Sequence, residues 1–162
     1  MKVRHVSLLF ITALLFAMAS ALCRADAPDV VSCEQAVANA NVAFKQQSGS
    51  EINSEKDLVE LVRILNRDNV LPIAYVTTQK AKEAGWDGTG SLWSKFILNK
   101  KIIGGDPYPG KPVSDKGSWF TADLESVSGH RSSKRLIYSP NSKTRYLSTE
   151  LYESAAEIVP CR

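Results

Sequence analysis

The chain is poor in the residues from which most metal and redox sites are built. Its 162 residues include three cysteines and two histidines, and one of those histidines, His5, lies within the first ten positions. Zinc needs three or four nitrogen or sulfur ligands at short spacings, and no such spacing occurs. A glycine loop of the kind that cradles nucleotide phosphates is missing as well. Internal repeats and low-complexity tracts are absent, which sets aside solenoid and fibrous architectures. The sequence therefore implies no metal and no cofactor.

What is present suits one domain of modest core. Met1 to Cys23 begins with Lys2 and Arg4 and runs through "VSLLFITALLFAMASAL" to small residues, the layout of a secretory signal. The apolar run is barely long enough to span a bilayer, and no charge cluster follows to halt transfer. Cleavage is expected after Ala25, with Cys23 and Ala25 as the small side chains read by the peptidase. Acylation of Cys23 would want a small residue before it and finds Leu22. The mature protein is thus expected outside the cell, with no membrane association and as a monomer. In an oxidising compartment the two cysteines that remain, Cys33 and Cys161, most simply pair. Closing so long a loop contributes roughly 4 to 5 kcal/mol in the chain-entropy model.

Removing Lys2, Arg4 and Arg24 leaves 17 basic against 17 acidic residues, a neutral chain with an uneven distribution. Residues 95–145 hold ten Lys and Arg against four acids, whereas residues 26–94 hold ten acids against six bases. The second half therefore reads either as solvated surface or as a patch that steers a phosphate-bearing ligand.

Three segments follow the leader. Residues 26–53 are polar and Ala-rich, with a break at "QQSGS", and read as a flexible lead-in holding at most one short helix. "SEKDLVELVRILNRDN" is an amphipathic helix, with Ser54 as N-cap, Asp57 three residues on, and Leu58, Leu61, Val62 and Leu65 on one face. "TTQKAKEAGW" reads as a second helix, capped by Thr77 or Thr78 and stopped by Gly85; "SLWSKFIL" is a candidate third. From Lys101 onward, "KIIGGD", "SWFTADLE", "RLIYS", "TRYLSTE" and "AEIVP" are short β-type runs between turn residues. The expected fold is α+β, with N-terminal helices on one face of a C-terminal antiparallel sheet, and the domain is placed at residues 54–162.

"LPIAYVTTQKAKEAGW", "KKIIGGDPYPGK" and "GSWFTADLESVSGHRSSKRLIYS" together resemble the microbial guanyl-specific ribonucleases, the barnase branch in particular, over about residues 55 to 160. That resemblance implies a secreted, metal-free enzyme that cuts single-stranded RNA after guanosine through a 2′,3′-cyclic phosphate. Such chemistry uses a carboxylate base, a histidine acid and cations on the phosphorane. By the resemblance, Arg131 and Arg135 fall on the phosphate-binding positions, Asp123 pairs them from the neighbouring strand, and Lys134, Lys111 and Tyr152 add to the RNA surface. Gly105 and Asp106 support the site. The competing reading makes Asp123 and the arginines a buried network that only fixes the sheet.

Four positions depart from the family's pattern. Thr121 stands where the resemblance expects the base, Leu151 where it expects the acid, and Thr78 where it expects a lysine. Between Asp106 and Trp119 the chain is about four residues short, in the loop that reads guanine. Strand alternation would place Thr121, Asp123 and Glu125 on one face, making Glu125 a possible displaced base; His130, beside the turn, should point away from Arg131. Two functions stay open. One is a pseudo-ribonuclease that binds RNA or a protein partner, an effector among the roles this would suit; the other is a slow endoribonuclease.

Overall fold

The computed structural model describes residues 29–114 and 116–162; the leader and its cleavage site lie outside them. The first described element corrects the reading of residues 26–53. Cys33–Ser48 form a 16-residue helix, α1. Ser32 caps it, its Oγ accepting from the Gln35 amide at 3.2 Å, and Gly49 ends it in the left-handed region at φ 74°, where glycine pays no steric penalty. Ala36, Val37, Ala40 and Phe44 form one buried face. Three of these four side chains are small, so helical periodicity is present but the apolar signal is weak, and α1 passes for a linker. Its buried face packs into the same core as the second helix and the sheet.

Glu55–Asp68 form α2, close to expectation, and its Leu58, Leu61, Val62 and Leu65 are buried. Thr78–Glu83 form α3, with Thr77 as its cap. The anticipated third helix is instead a pair of 3₁₀ turns, Leu92–Ser94 and Phe96–Leu98. Six strands make one sheet in chain order: β1 Tyr75–Val76, β2 Ile102–Pro107, β3 Phe120–Asp123, β4 Lys134–Tyr138, β5 Arg145–Thr149 and β6 Ala156–Ile158. All neighbours are antiparallel except β1 and β2, which run parallel. The two-residue β1 is too short to leave a periodic signal.

Helices α1 and α2 cover one face of the sheet and bury Ala122, Leu124, Leu136, Leu147, Ala156 and Ile158 beneath them. Each large aliphatic side chain fully buried there contributes about 1.5–3 kcal/mol. A second, smaller core joins Ala81, Trp86, Leu92, Leu98 and Ile103. Both cores lie within residues 29–162, as does the disulfide. Cys33 and Cys161 are bonded, the Cys33 amide donates to Arg162 O at 3.1 Å and the Arg162 amide to Val31 O at 3.1 Å. The chain's end is thereby fastened to the first turn of α1.

Candidate active site

Period-two alternation turns Thr121 and Asp123 of β3, and Arg135 of β4, away from the helices. Asp123 is directly opposite Arg135 in the ladder. The Asp123 carboxylate is 1% exposed and accepts two bonds from Arg131, from Nε at 2.7 Å and from Nη2 at 2.9 Å. Arg135 Nε approaches Asp123 Oδ1 to 3.2 Å, near enough for strong attraction yet misaligned, so that Nε donates no hydrogen bond. Arg135 Nη1 donates to Ser132 O and Lys134 O. Glu150 Oε2 lies 3.9 Å from Arg135 Nη2. The bond to Asp123 raises the Arg131 pKa above its ordinary value, keeping that cation charged at any working pH. Among the described residues, Arg131 Nη1 and Arg135 Nη2 donate no hydrogen bond, so one edge of each guanidinium is left for another acceptor.

Asp106 arrives from β2 through a bulge. The register with β3 shifts between Gly104 and Asp106, and Gly105 takes φ 93°, a conformation that suits glycine at such a bulge. This turns the Asp106 carboxylate onto the start of α3, where Oδ1 accepts from the Thr78 amide at 2.9 Å and Oδ2 from Thr78 Oγ1 at 2.5 Å. Gly104 is equally constrained, since a Cβ there would lie 2.4 Å from Tyr75 Cδ1. The Tyr75 ring packed on it donates its hydroxyl to Asp123 O at 3.0 Å, and burial pushes the Tyr75 pKa up. Tyr75 thus fixes the end of β3, a role its place in "LPIAYV" did not reveal.

The expected residues divide into two groups. Thr78, Asp106, Thr121, Asp123, Arg131 and Arg135 come together, with Gly105 shaping the bulge; Glu150, which was not expected there, joins them beside Arg135. Tyr152 packs edge-on against Tyr108, ring centroids 5.3 Å apart, and an open depression beside it is lined by Gly110, Lys111 and Leu151. Tyr108 was missed; an aromatic retained in the shortened loop was the available signal.

Glu125 and Lys134 do not join the site. β3 ends at Asp123, and Glu125 takes φ 51°, which breaks the alternation expected to align it with Thr121. Its carboxylate accepts from the Asn53 amide at 2.6 Å and the Ser54 amide at 2.8 Å and binds Lys134 Nζ. Burial raises the Glu125 pKa, but the bonds from Lys134, Ser54 and Asn53 outweigh it and leave the group lowered. Glu125 is therefore an anchor for the start of α2 rather than a displaced base. Lys134 occupies the helix-side face of β4 and neutralises Glu125, so it is not a free phosphate cation. His130 is exposed, paired through its backbone with Val127 in the turn.

Helices on one face of an antiparallel sheet, with a two-arginine, one-aspartate cluster on the other, define a ribonuclease-like α+β domain. The chain is 32% identical over 92 residues to a ribonuclease of Heyndrickxia coagulans, a match covering 54% of this chain and 83% of that relative. It is 33% identical over 73 residues to ribonucleases of Bacillus intermedius and Bacillus pumilus, covering 43% of this chain and 44% of each of them. No protein-family model matches. The chain belongs to the microbial ribonuclease family.

Proposed function

We propose that this is a secreted ribonuclease-fold protein that grips RNA phosphates and has largely lost the ability to cut them, acting as an RNA-binding effector or partner protein. The observation that carries the reading is the state of the cleft's polar groups. The 35% exposed Arg131 guanidinium and the Nη2 of the nearly buried Arg135 have hydrogen-bonding capacity to spare, while no group is free to move protons at the positions the family uses. Thr121 carries a hydroxyl, which takes no proton at neutral pH, and it is buried. Leu151 is 69% exposed and transfers none. Asp106 is held by Thr78, and Asp123 by Arg131. The guanine-reading loop is short, so binding should run along the phosphates with little base preference.

A second reading keeps a slow endoribonuclease that makes a 2′,3′-cyclic phosphate. It is favoured by Glu150, a carboxylate with a half-exposed side chain beside Arg135, which could take the 2′ proton while water protonates the departing 5′ oxygen. General acid and base groups are each worth about 10²–10⁴ in rate. The proposal therefore expects cleavage of a guanosine-containing oligonucleotide at least about a thousandfold slower than by an active relative. Labelled single-stranded RNA titrated into wild type, Arg131→Ala and Arg135→Ala at two salt concentrations completes the test. Binding should weaken steeply with salt and fall in both variants. Unchanged affinity in a folded Arg131→Ala protein would leave the cluster as a sheet fastener and end the RNA reading.

A further inference from the structure

The 3₁₀ segment that replaces the expected third helix has two sides of different character. Leu92 and Leu98 point inward, 1% and 3% exposed, and complete the smaller core. Trp93, Phe96 and Ile97 point outward, at 39%, 96% and 69%, and are surplus to the packing. Their presentation is firm. The Leu92 amide donates to Gly129 O at 3.0 Å, Trp93 Nε1 donates to Lys101 O at 3.1 Å, and the indole sits on Gly129, where a Cβ would come within 2.5 Å of Trp93 Cδ1. On one side the patch continues to Val127, 70% exposed two residues before Gly129, and on the other to Ile73, 92% exposed, whose carbonyl accepts from Lys101 Nζ at 2.7 Å.

Within this segment the charge has one sign, with Asp87 just before it near Lys95. Residues 88–105 contain Lys95, Lys100 and Lys101 and no acid. Side chains as exposed as Phe96 and Ile97 mark a convex tip rather than a groove. An aliphatic and aromatic tip with an indole at its shoulder and lysines around it matches the composition of a membrane-interface anchor: apolar groups enter the acyl boundary, the indole lies at headgroup depth and the ammonium groups meet lipid phosphates.

We propose that the Trp93–Phe96–Ile97 tip docks this protein onto an anionic lipid surface, independently of the arginine cleft. The sequence alone pointed to no membrane contact once the leader is removed; the outward turn of these three side chains is the reason to revise that. The test uses the disulfide-bonded protein beginning at Asp26, so that the apolar leader plays no part, and vesicles of phosphatidylcholine with about one quarter phosphatidylserine.

Co-sedimentation should show binding to these vesicles, at least tenfold weaker binding to phosphatidylcholine alone, and a tenfold or greater loss in the Phe96→Ser, Ile97→Ser double variant. Lys95→Gln, Lys100→Gln and Lys101→Gln together should weaken binding and flatten its salt dependence. A blue shift of indole emission on adding vesicles should vanish in Trp93→Phe. RNA affinity should be unchanged in the Phe96→Ser, Ile97→Ser and Trp93→Phe proteins, which separates this proposal from the one above. Failure of the wild type to bind anionic vesicles at low salt overturns the proposal, as does equal binding by the Phe96→Ser, Ile97→Ser variant. If that variant loses only a self-association seen by sedimentation velocity, the tip is a contact between two copies and the lipid proposal falls.

Discussion

Asp123 balances two cations within a single buried carboxylate. Arg135 has 5% of its side chain exposed, and among the described residues its next acid is Glu150, at 3.9 Å. Replacing Asp123 with Asn should leave that guanidinium buried and uncompensated and cost about 3–5 kcal/mol, read as a lowered urea midpoint at pH 7. Arg131→Ala should cost less, because its side chain is 35% exposed. The missing proton-transfer groups allow a gain-of-function test on oligonucleotide substrates. Thr121→Glu with Leu151→His should raise cleavage by at least tenfold, since each such group contributes about 10²–10⁴. Guanine preference should not return with it, because the loop between Asp106 and Trp119 stays short. The pairing of Asp123 with the arginines was legible through the family resemblance carried by "GSWFTADLESVSGHRSSKRLIYS", and the ladder sets Asp123 opposite Arg135. The engagement of Thr78 by Asp106 was not, since it depends on a bulge at Gly105 that pattern alone does not locate.

At the level of elements, the start of α2 is secured by the hairpin turn after β3. Ser54 was expected to cap the helix, but its Oγ donates to Asp57 Oδ2 at 2.6 Å, and the Asn53 and Ser54 amides are bound by Glu125 instead. The Glu125 pKa is lowered in the folded protein. Its stabilisation is therefore complete above the unfolded carboxyl value of about 4.3 and is lost as pH falls through the lower folded value. Glu125→Gln should reduce stability at pH 7 by about 0.5–2 kcal/mol, the usual range for a lost N-cap. Once the pH is low enough to protonate Glu125 in the folded protein the two proteins should converge, as denaturant titrations at pH 7 and in acid would reveal. Helix α2 and β2 to β6 were readable because their apolar spacing is regular. Helix α1, with its alanines, was not, and Glu125 was assigned to the wrong face because alternation was extended past a strand that ends at Asp123.

For the molecule as a whole, the bond between Cys33 and Cys161 does more than tidy loose ends. Cys33 is fully buried in the first turn of α1, and the Asn66 side chain donates to Cys161 O at 3.1 Å, so the bridge pins α1, α2 and the segment that follows β6 at one point. The chain-entropy model gives roughly 5 kcal/mol for a loop of this length. Reduction should accordingly lower the melting temperature by many degrees while the far-ultraviolet circular dichroism at low temperature persists. Equal melting of the oxidised and reduced proteins would show that the two cores alone set the stability.

That same bond turns the domain into a ring. The two bonded cysteines are 128 residues apart, so a pull applied at the two ends bypasses nearly the whole polypeptide. At about 3.5 Å per residue, roughly 450 Å of contour length is locked inside the ring. Optical-tweezer stretching from both ends should show no unfolding step while the bridge is intact and a single long extension once it is reduced. Passage through any pore that admits only one extended strand should likewise wait for a reductant, because the oxidised domain would have to enter as two strands side by side.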